Sequence, residues 1–386
     1  MSAIDAIRAW DDELTKIRRD LHANPEIGLE EHRTAAIVAE KLAQWGIEVH
    51  RGVGKTGVVG VLRRGTGGRA VGLRADMDCL PMEEQTNLPY RSRNAGRMHA
   101  CGHDGHTTML LAAAKYLATQ GRFDGTVHFI FQPGEEGIGG ALAMLKDGLF
   151  ERFPCDAVYA LHNRPGMEVG KFCITPGPSA AGGAFFDVTV TGRGAHGAYP
   201  EDGVDPILVA SHLTTALQSI VARNVPPAET AVLSVTRFNA GDAYNVIPQQ
   251  AALAGTARAF STATMTLLED GLRRVATRVA GAFGAEATVD FRVIFAPLIN
   301  DAAETAVIAD AAAAMVGEAN VDRAQKPEMG SEDFSFMMER VPGAYIQVGN
   351  GASAPLHNPG YDFDDACTPF GAAVLADVAE RRLRQE

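Results

Sequence analysis

Apolar positions recur at a helical period over residues 35–45, then gather into short β-like runs at 58–62 and 70–73. An Ala/Leu-rich stretch at 110–117 predicts a helix, and TVHFIF at 126–131 a buried strand. Residues 141–149 read as a helix and 157–161 as a strand. The N-terminal MSAIDAIRAWDDELTKIRRDLH mixes apolar and charged positions as one amphipathic helix. This alternation predicts an α/β layered sheet. In such sheets ligands bind beyond the carboxyl ends of the strands.

The pattern changes at TPGPSAAGG, residues 175–183, whose Pro, Gly, Ser and Ala content predicts a linker. Strand-like FFDVTVTG, a helix at 205–221, strands AVLSVTRF and QQAALAGTARAF, a helix at 267–283 and the strand ATVDFRVIF follow. This β-α-β-β-α-β order is the ferredoxin-like α+β unit. A helix at 302–316, a strand at 344–348 and a last helix at 368–384 return to the first pattern. The chain is therefore expected to hold a discontinuous larger domain, 1–182 and 297–386, with a smaller domain, 183–296, inserted in it.

The 386 residues suit two domains, and 46% hydrophobic content supplies a sizeable core. A formal net charge of −12 argues against nucleic acid or an anionic membrane as partner. The N-terminus has no apolar core like that of a signal peptide, and no window approaches about 18 uninterrupted apolar residues. The five Cys are odd in number and scattered, which fits a reduced cytoplasmic setting.

Candidate chemistry concentrates in MHACGHDGH, residues 98–106. Cys101 and His103 precede a helix expected to begin near Asp104. Glu135 and Glu136 follow the strand TVHFIF, His162 ends the strand AVYALH, and His357 lies in a loop after AYIQV. Singly, each has an ordinary reading: a chance Cys-X-His, a solvated Glu pair, a hydrogen-bonded His. Jointly, they all sit at or just past the carboxyl ends of strands, where a parallel sheet gathers them along one edge. Cys101, His103, Glu136, His162 and His357 make five donors, more than the four of a closed structural zinc site. They suit two divalent ions sharing ligands, about 3.5–4 Å apart. Thiolate and imidazole favour Zn, Mn, Co or Ni over Mg or Ca. Glu135, beside a ligand, is placed to take a proton from a water acidified by the ions and deliver it to a leaving amine.

These residues lie within segments that resemble the metallo-aminoacylases and carboxypeptidases related to hippurate hydrolase and auxin-conjugate amidohydrolases. The matching stretches include RRDLHANPEIGLEEHRT, LRADMDCLPM, MHACGHDGHTTMLL, FQPGEEG, LHNRPG, GRGAHGAYP, NVIP, GTARAF, GSEDFS and LHNPGYDFDD, in order along nearly the whole chain. The resemblance implies a di-metal catalytic domain with an inserted lid that commonly dimerises. It assigns the same five ligands and the same base. It further implies that His196 holds the scissile carbonyl oxygen, in a neighbouring subunit's site, so that the chain works as a homodimer or higher homo-oligomer. From the residues alone His196 reads as a turn residue. Asn245 either contacts the substrate or caps a turn, and Arg258 either pairs with a free α-carboxylate or forms a strand-surface salt bridge. Gly330 and Ser331 either offer backbone N–H groups to that carboxylate or begin a helix capped by Ser331. Related aminoacylases carry His-X-Asp where this chain has Asp76-Met77-Asp78, so Asp78 is read as orienting a ligand. His22, Glu31, His99 and His106 receive no role as ligands.

The implied activity is hydrolysis of the amide of a small N-acyl amino acid, of the hippurate or N-acetyl type. A dipeptide or an N-acetylated diaminopimelate would suit the same machinery. Two other readings stand beside it: Cys101 as a thiol nucleophile with His103 as its base, and a metal-binding protein without catalysis.

Overall fold

The computed structural model describes residues 2–384. Two compact units divide the chain. The larger comprises Met1–Ser179, Ile299–Lys326 and Asp333–Glu386, and the smaller Ala180–Leu298 with Pro327–Glu332. The last segment was expected in the larger part. It groups with the smaller one because the Ala181 N–H donates to the carbonyls of Glu328 and Gly330, each at 3.0 Å. The stretch expected as a linker contains a short strand, Gly177–Ala180, and runs directly into the strand Gly182–Thr191.

The larger unit is built on an eight-stranded mixed sheet. Its middle is four parallel strands in the order Gly125–Gln132, Ala70–Asp76, Ala157–Arg164 and Gly343–Gly349. These read as near-continuous apolar runs because both faces are covered, as parallel sheets require. Antiparallel Gly57–Arg64 and Glu48–Val53 extend one side. The two-residue strands Phe172–Cys173 and Val321–Asp322 extend the other. Helix His103–Thr119, almost wholly buried, packs on Ala70–Asp76 and against helices Asp11–Ala23 and Thr368–Arg382.

The N-terminal stretch forms two helices, Ala3–Arg8 and Asp11–Ala23, where one was expected. Asp11, Asp12 and Glu13 in succession suit a helix N-terminus, where negative charge meets the exposed N–H groups, and so favour a fresh start there.

The smaller unit has four antiparallel strands in the order Ala231–Ala240, Gln250–Ala259, Gly182–Thr191, Glu286–Phe295. Helices Pro206–Asn224 and Thr262–Ala282 join them in the ferredoxin-like β-α-β-β-α-β order. Burial alternates residue by residue along Gln250–Ala259, so one sheet face packs on the helices.

Candidate metal centre

Parallel pairing puts Asp76 level with Gln132, and Gln347 level with His162. The chain segments leaving these strands therefore emerge along one edge. Glu135 and Glu136 follow three and four residues after Gln132. His162 lies two residues inside the end of its strand, which runs on to Arg164. The His357 loop is brought in by its own backbone: the His357 N–H donates to the Ala100 carbonyl at 2.9 Å. His357 takes φ 61°, a left-handed conformation uncommon for a non-glycine residue.

Cys101 and His103 enter through Gly102, which caps helix His103–Thr119 at φ 89°. A Cβ there would sit 2.4 Å from Asn163 Oδ1 and 2.6 Å from Tyr361 Oη, so glycine is required twice over.

The five expected donors converge. Cys101, His103 and His162 present ligand atoms all within 4.8 Å of one another, and so do Cys101, Glu136 and His357. Cys101 belongs to both groups. His103 also groups with Glu135 and Glu136 on the same criterion. Cys101 Sγ lies 3.4 Å from His162 Nε2, and His357 Nε2 lies 3.3 Å from Glu136 Oε1. His162 Nδ1 is 2.7 Å from the Asn163 carbonyl and His103 Nδ1 is 3.2 Å from Asp78 Oδ1. With the proton on Nδ1 in each, Nε2 is left as the free electron pair a metal needs. His103 Nε2 and Glu136 Oε1 are buried with no hydrogen-bond partner. A cation among these donors supplies what both atoms lack, so the residues fit a metal.

Asp78 does more than orient His103. Its Oδ2 accepts the Glu136 N–H at 3.0 Å, fixing both candidate ligands with one carboxylate. Asp76 accepts from His106 at 2.7 Å and from Arg74 at 2.9 Å. Burial opposes its ionisation, but His103, His106 and Arg74 outweigh burial and hold the carboxyl well below the usual range. His106 is committed on both ring nitrogens, to Asp76 and Asn163. Glu31, which had no role from sequence, accepts the Gly134 N–H at 2.8 Å and so anchors the loop just ahead of Glu135. The Glu135 carboxylate receives the Asp333 N–H at 3.4 Å. Sequence could have pointed to Glu31, Arg74, Asn163 and Asp333 through their places in PEIGLEEHRT, LRADMDCLPM, LHNRPG and GSEDFS, but only the fold supplies their partners.

The thiol-nucleophile reading loses its basis. Cys101 faces three candidate ligand imidazoles instead of a single base, and burial followed by the Glu136 charge pushes its thiol up. Activated thiols are shifted the other way.

His196, Asn245, Arg258 and Gly330 belong to the smaller unit. His196 lies on a two-residue strand opposite Val246, and the Gly197 N–H donates to the Asn245 carbonyl at 2.8 Å. His196 Nδ1 accepts the Ala198 N–H at 3.0 Å, which leaves Nε2–H as a donor on an exposed ring. Arg258 is half-buried and bonds only neutral groups, the Thr256 hydroxyl and the Ala257 carbonyl at 2.9 Å. It makes no salt bridge among the described residues. Gly330 is exposed, with open space where a Cβ would be. Ser331 caps no helix. The helix Phe334–Met338 starts after Asp333, and Ser331 Oγ is buried without a partner.

Behind the site, His22 is fully enclosed between Asp104, at 2.8 Å, and Glu84, at 3.4 Å. Burial works against its charged form, but Asp104 and Glu84 outweigh burial and raise its pKa from 6.5 to about 9. A group raised on folding stabilises fully below its unfolded pKa and loses that contribution as pH climbs through the folded one. For His22 the rise is worth roughly 3 kcal/mol. Chelator-treated protein is therefore expected to lose stability in urea melts between about pH 6.5 and about pH 9. In His22→Gln that alkaline loss should largely disappear; an unchanged pH slope would mean that the cluster contributes nothing.

A parallel sheet whose carboxyl edge gathers a buried Cys, His and Glu donor set defines a metal-binding α/β protein. The chain belongs to the peptidase family M20/M25/M40, whose model matches residues 72–381. It is 44% identical over 384 residues to a hippurate hydrolase of Campylobacter jejuni, covering 100% of both chains. It is 40% identical to an IAA-amino acid hydrolase of Arabidopsis thaliana, over 96% of this chain and 86% of that one. A solved Bacillus subtilis structure, described as a dinuclear metal binding peptidase from the M20 family, superimposes with a TM-score of 0.86 at 31% identity. That match covers 98% of this chain and 100% of the other.

Proposed function

We propose that this chain is a two-metal amidohydrolase that cleaves the amide bond of small N-acyl amino acids. One observation carries the reading: five donors converge at one sheet edge, beside a second carboxylate, with the buried atoms His103 Nε2 and Glu136 Oε1 making no hydrogen bond. Cys101, His103, Glu136, His162 and His357 hold the ions. Asp78 orients His103 and Glu136. Zn, Mn, Co or Ni suit a set containing a thiolate and three imidazoles.

The ions, when bound, acidify a water molecule and polarise the scissile carbonyl. Glu135 takes the proton from the attacking water and passes it to the leaving amine. The free Nε2–H of His196 suits a donor to the developing oxyanion, a contact worth about 2.7–4 kcal/mol in other enzymes. Arg258, charged and without an acidic partner among the described residues, is the natural partner for the substrate α-carboxylate, with Asn245 and the Gly330 backbone as further contacts.

The smaller unit is the lid and the dimerisation unit. Tyr199, Tyr244 and Val246, near His196 in sequence or along its strand pairing, are 58%, 113% and 53% exposed, apolar surface of the kind that interfaces cover. In this arrangement His196 serves the partner's site. Mixing inactive Glu135→Ala with inactive His196→Ala protein is then expected to restore part of the activity after subunit exchange. Absence of rescue despite demonstrated exchange would contradict the shared site. The five cysteines are all free, which fits a reducing, cytoplasmic location. No helix among the described residues is long and apolar enough to cross a membrane.

The decisive assay is release of amino acid from hippurate and from N-acetyl amino acids, by metal-free protein and by protein reloaded with each candidate metal. Metal-dependent release is expected. Release that persists without metal would overturn the two-metal reading. Metal uptake without release from any acyl substrate would turn attention to dipeptides or to a binding role.

A further inference from the structure

Two groups of proposed ligands come from distant parts of the chain: Cys101 and His103 at the start of one helix, His357 in a loop more than 250 residues later. Their backbones meet at one hydrogen bond, His357 N–H to Ala100. A second connection runs beneath them through the helix Asp11–Ala23, whose residues lie outside the 72–381 covered by the family model.

Arg18 is on that helix and its side chain is fully buried. Its guanidinium grips Asp365 with two hydrogen bonds, Nε to Oδ1 at 2.7 Å and Nη2 to Oδ2 at 2.9 Å. Its Nη1 faces Asp104 Oδ2 at 3.6 Å. Asp104 is the residue after His103. Asp365 begins the short turn Asp365–Cys367, eight residues past His357. His22, one turn further along the same helix, bonds the same Asp104 oxygen through Nδ1 at 2.8 Å. Tyr90, under the Arg18 guanidinium at 4.6 Å, donates to Asp362 at 3.1 Å and so ties the Arg18 helix a second time to the segment that follows His357. The fork is spent on Asp365, fixing distance and angle there as a single ammonium would not, while towards Asp104 the third nitrogen offers charge at 3.6 Å without a hydrogen bond.

We infer that Arg18 is a positioning residue for the metal centre, setting the Cys101–His103 segment against the His357 loop by bridging Asp104 and Asp365. It touches neither substrate nor metal. The inference rests on the two-metal reading proposed above. Residues that support metal ligands from behind usually change metal affinity about 10–100-fold when altered, and that is the effect expected here.

The test is the affinity for Zn2+, measured by competition with a chromophoric chelator on full-length protein, in Arg18→Lys and Asp365→Asn. Arg18→Lys keeps the buried charge but not the fork. Asp365→Asn removes the grip at its more accessible end, where the side chain is 17% exposed, and decides the matter if Arg18→Lys does not fold. Alkylation of the metal-free Cys101 thiol is followed alongside. The expected result is tenfold to hundredfold weaker binding of at least one ion and faster Cys101 alkylation, in protein that remains folded by circular dichroism. Variants that melt earlier yet bind Zn2+ within twofold of the unsubstituted protein would overturn the inference and leave Arg18 a stability residue. Failure of the unsubstituted protein to bind Zn2+, Mn2+, Co2+ or Ni2+ would instead sink the two-metal reading, and this inference with it.

Discussion

Glu135→Gln is expected to keep its metal and lose its activity. The residue is 6% exposed and precedes the proposed ligand Glu136. Its loop is held by the Glu31 contact to Gly134, and the Asp333 N–H reaches its Oε1. Glutamine fills the same space but cannot take a proton from water. General-base removal typically costs about 10²–10⁴-fold in rate, and kcat should bear that loss while KM changes little. Metal content measured on the same preparation separates the two possible roles. A variant that loses an ion along with its activity would make Glu135 a ligand. A variant with undiminished kcat would remove it from the chemistry.

His103→Ala should have the other large effect, on metal and activity together. His103 Nε2 is buried and makes no hydrogen bond, and the residue joins Cys101 and His162 in one group and Glu135 and Glu136 in another. Its loss leaves Asp78 without its imidazole and removes a donor common to both clusters. Hydrolysis should fall to background and the bound metal to one ion or none. A ligand present at about 100 times its Kd stabilises the folded state by about 2.7 kcal/mol. The unsubstituted protein should therefore gain on the order of that stability from metal, and His103→Ala much less of it. Equal metal stabilisation of both proteins would show that the ions bind elsewhere.

The site was legible in sequence to the extent that strands were. TVHFIF and AVYALH are apolar enough to be recognised alone, and each is followed or ended by a candidate ligand. Four such coincidences located Cys101, His103, Glu136, His162 and His357 at one edge. Apart from Asp78, the supporting residues were not assigned, because their partners lie far along the chain. Arg74 sits within a strand, yet its partners Asp76, Gln132 and Asp333 come from three segments. The same holds for very short strands such as Phe172–Cys173, too brief to show a period and formed because Gly343–Gly349 and Val321–Asp322 lie on either side. Ser331 misled in the opposite direction: GSEDFS has the local signature of a helix start, but the helix begins three residues later and is only five residues long.

The parallel sheet that collects the donors also sets when they can be collected. On the proposed ligand set, a growing chain that has reached residue 320 carries Cys101, His103, Glu136 and His162, but neither His357 nor the strand Gly343–Gly349 that leads to it. The whole of Ala180–Leu298 must be synthesised in between. Neither the loop that meets Ala100 nor the Asp365 end of the Arg18 bridge exists until then. A complete two-ion centre therefore has to form on a nearly finished chain, so that full metal loading follows translation and cannot guide its early stages.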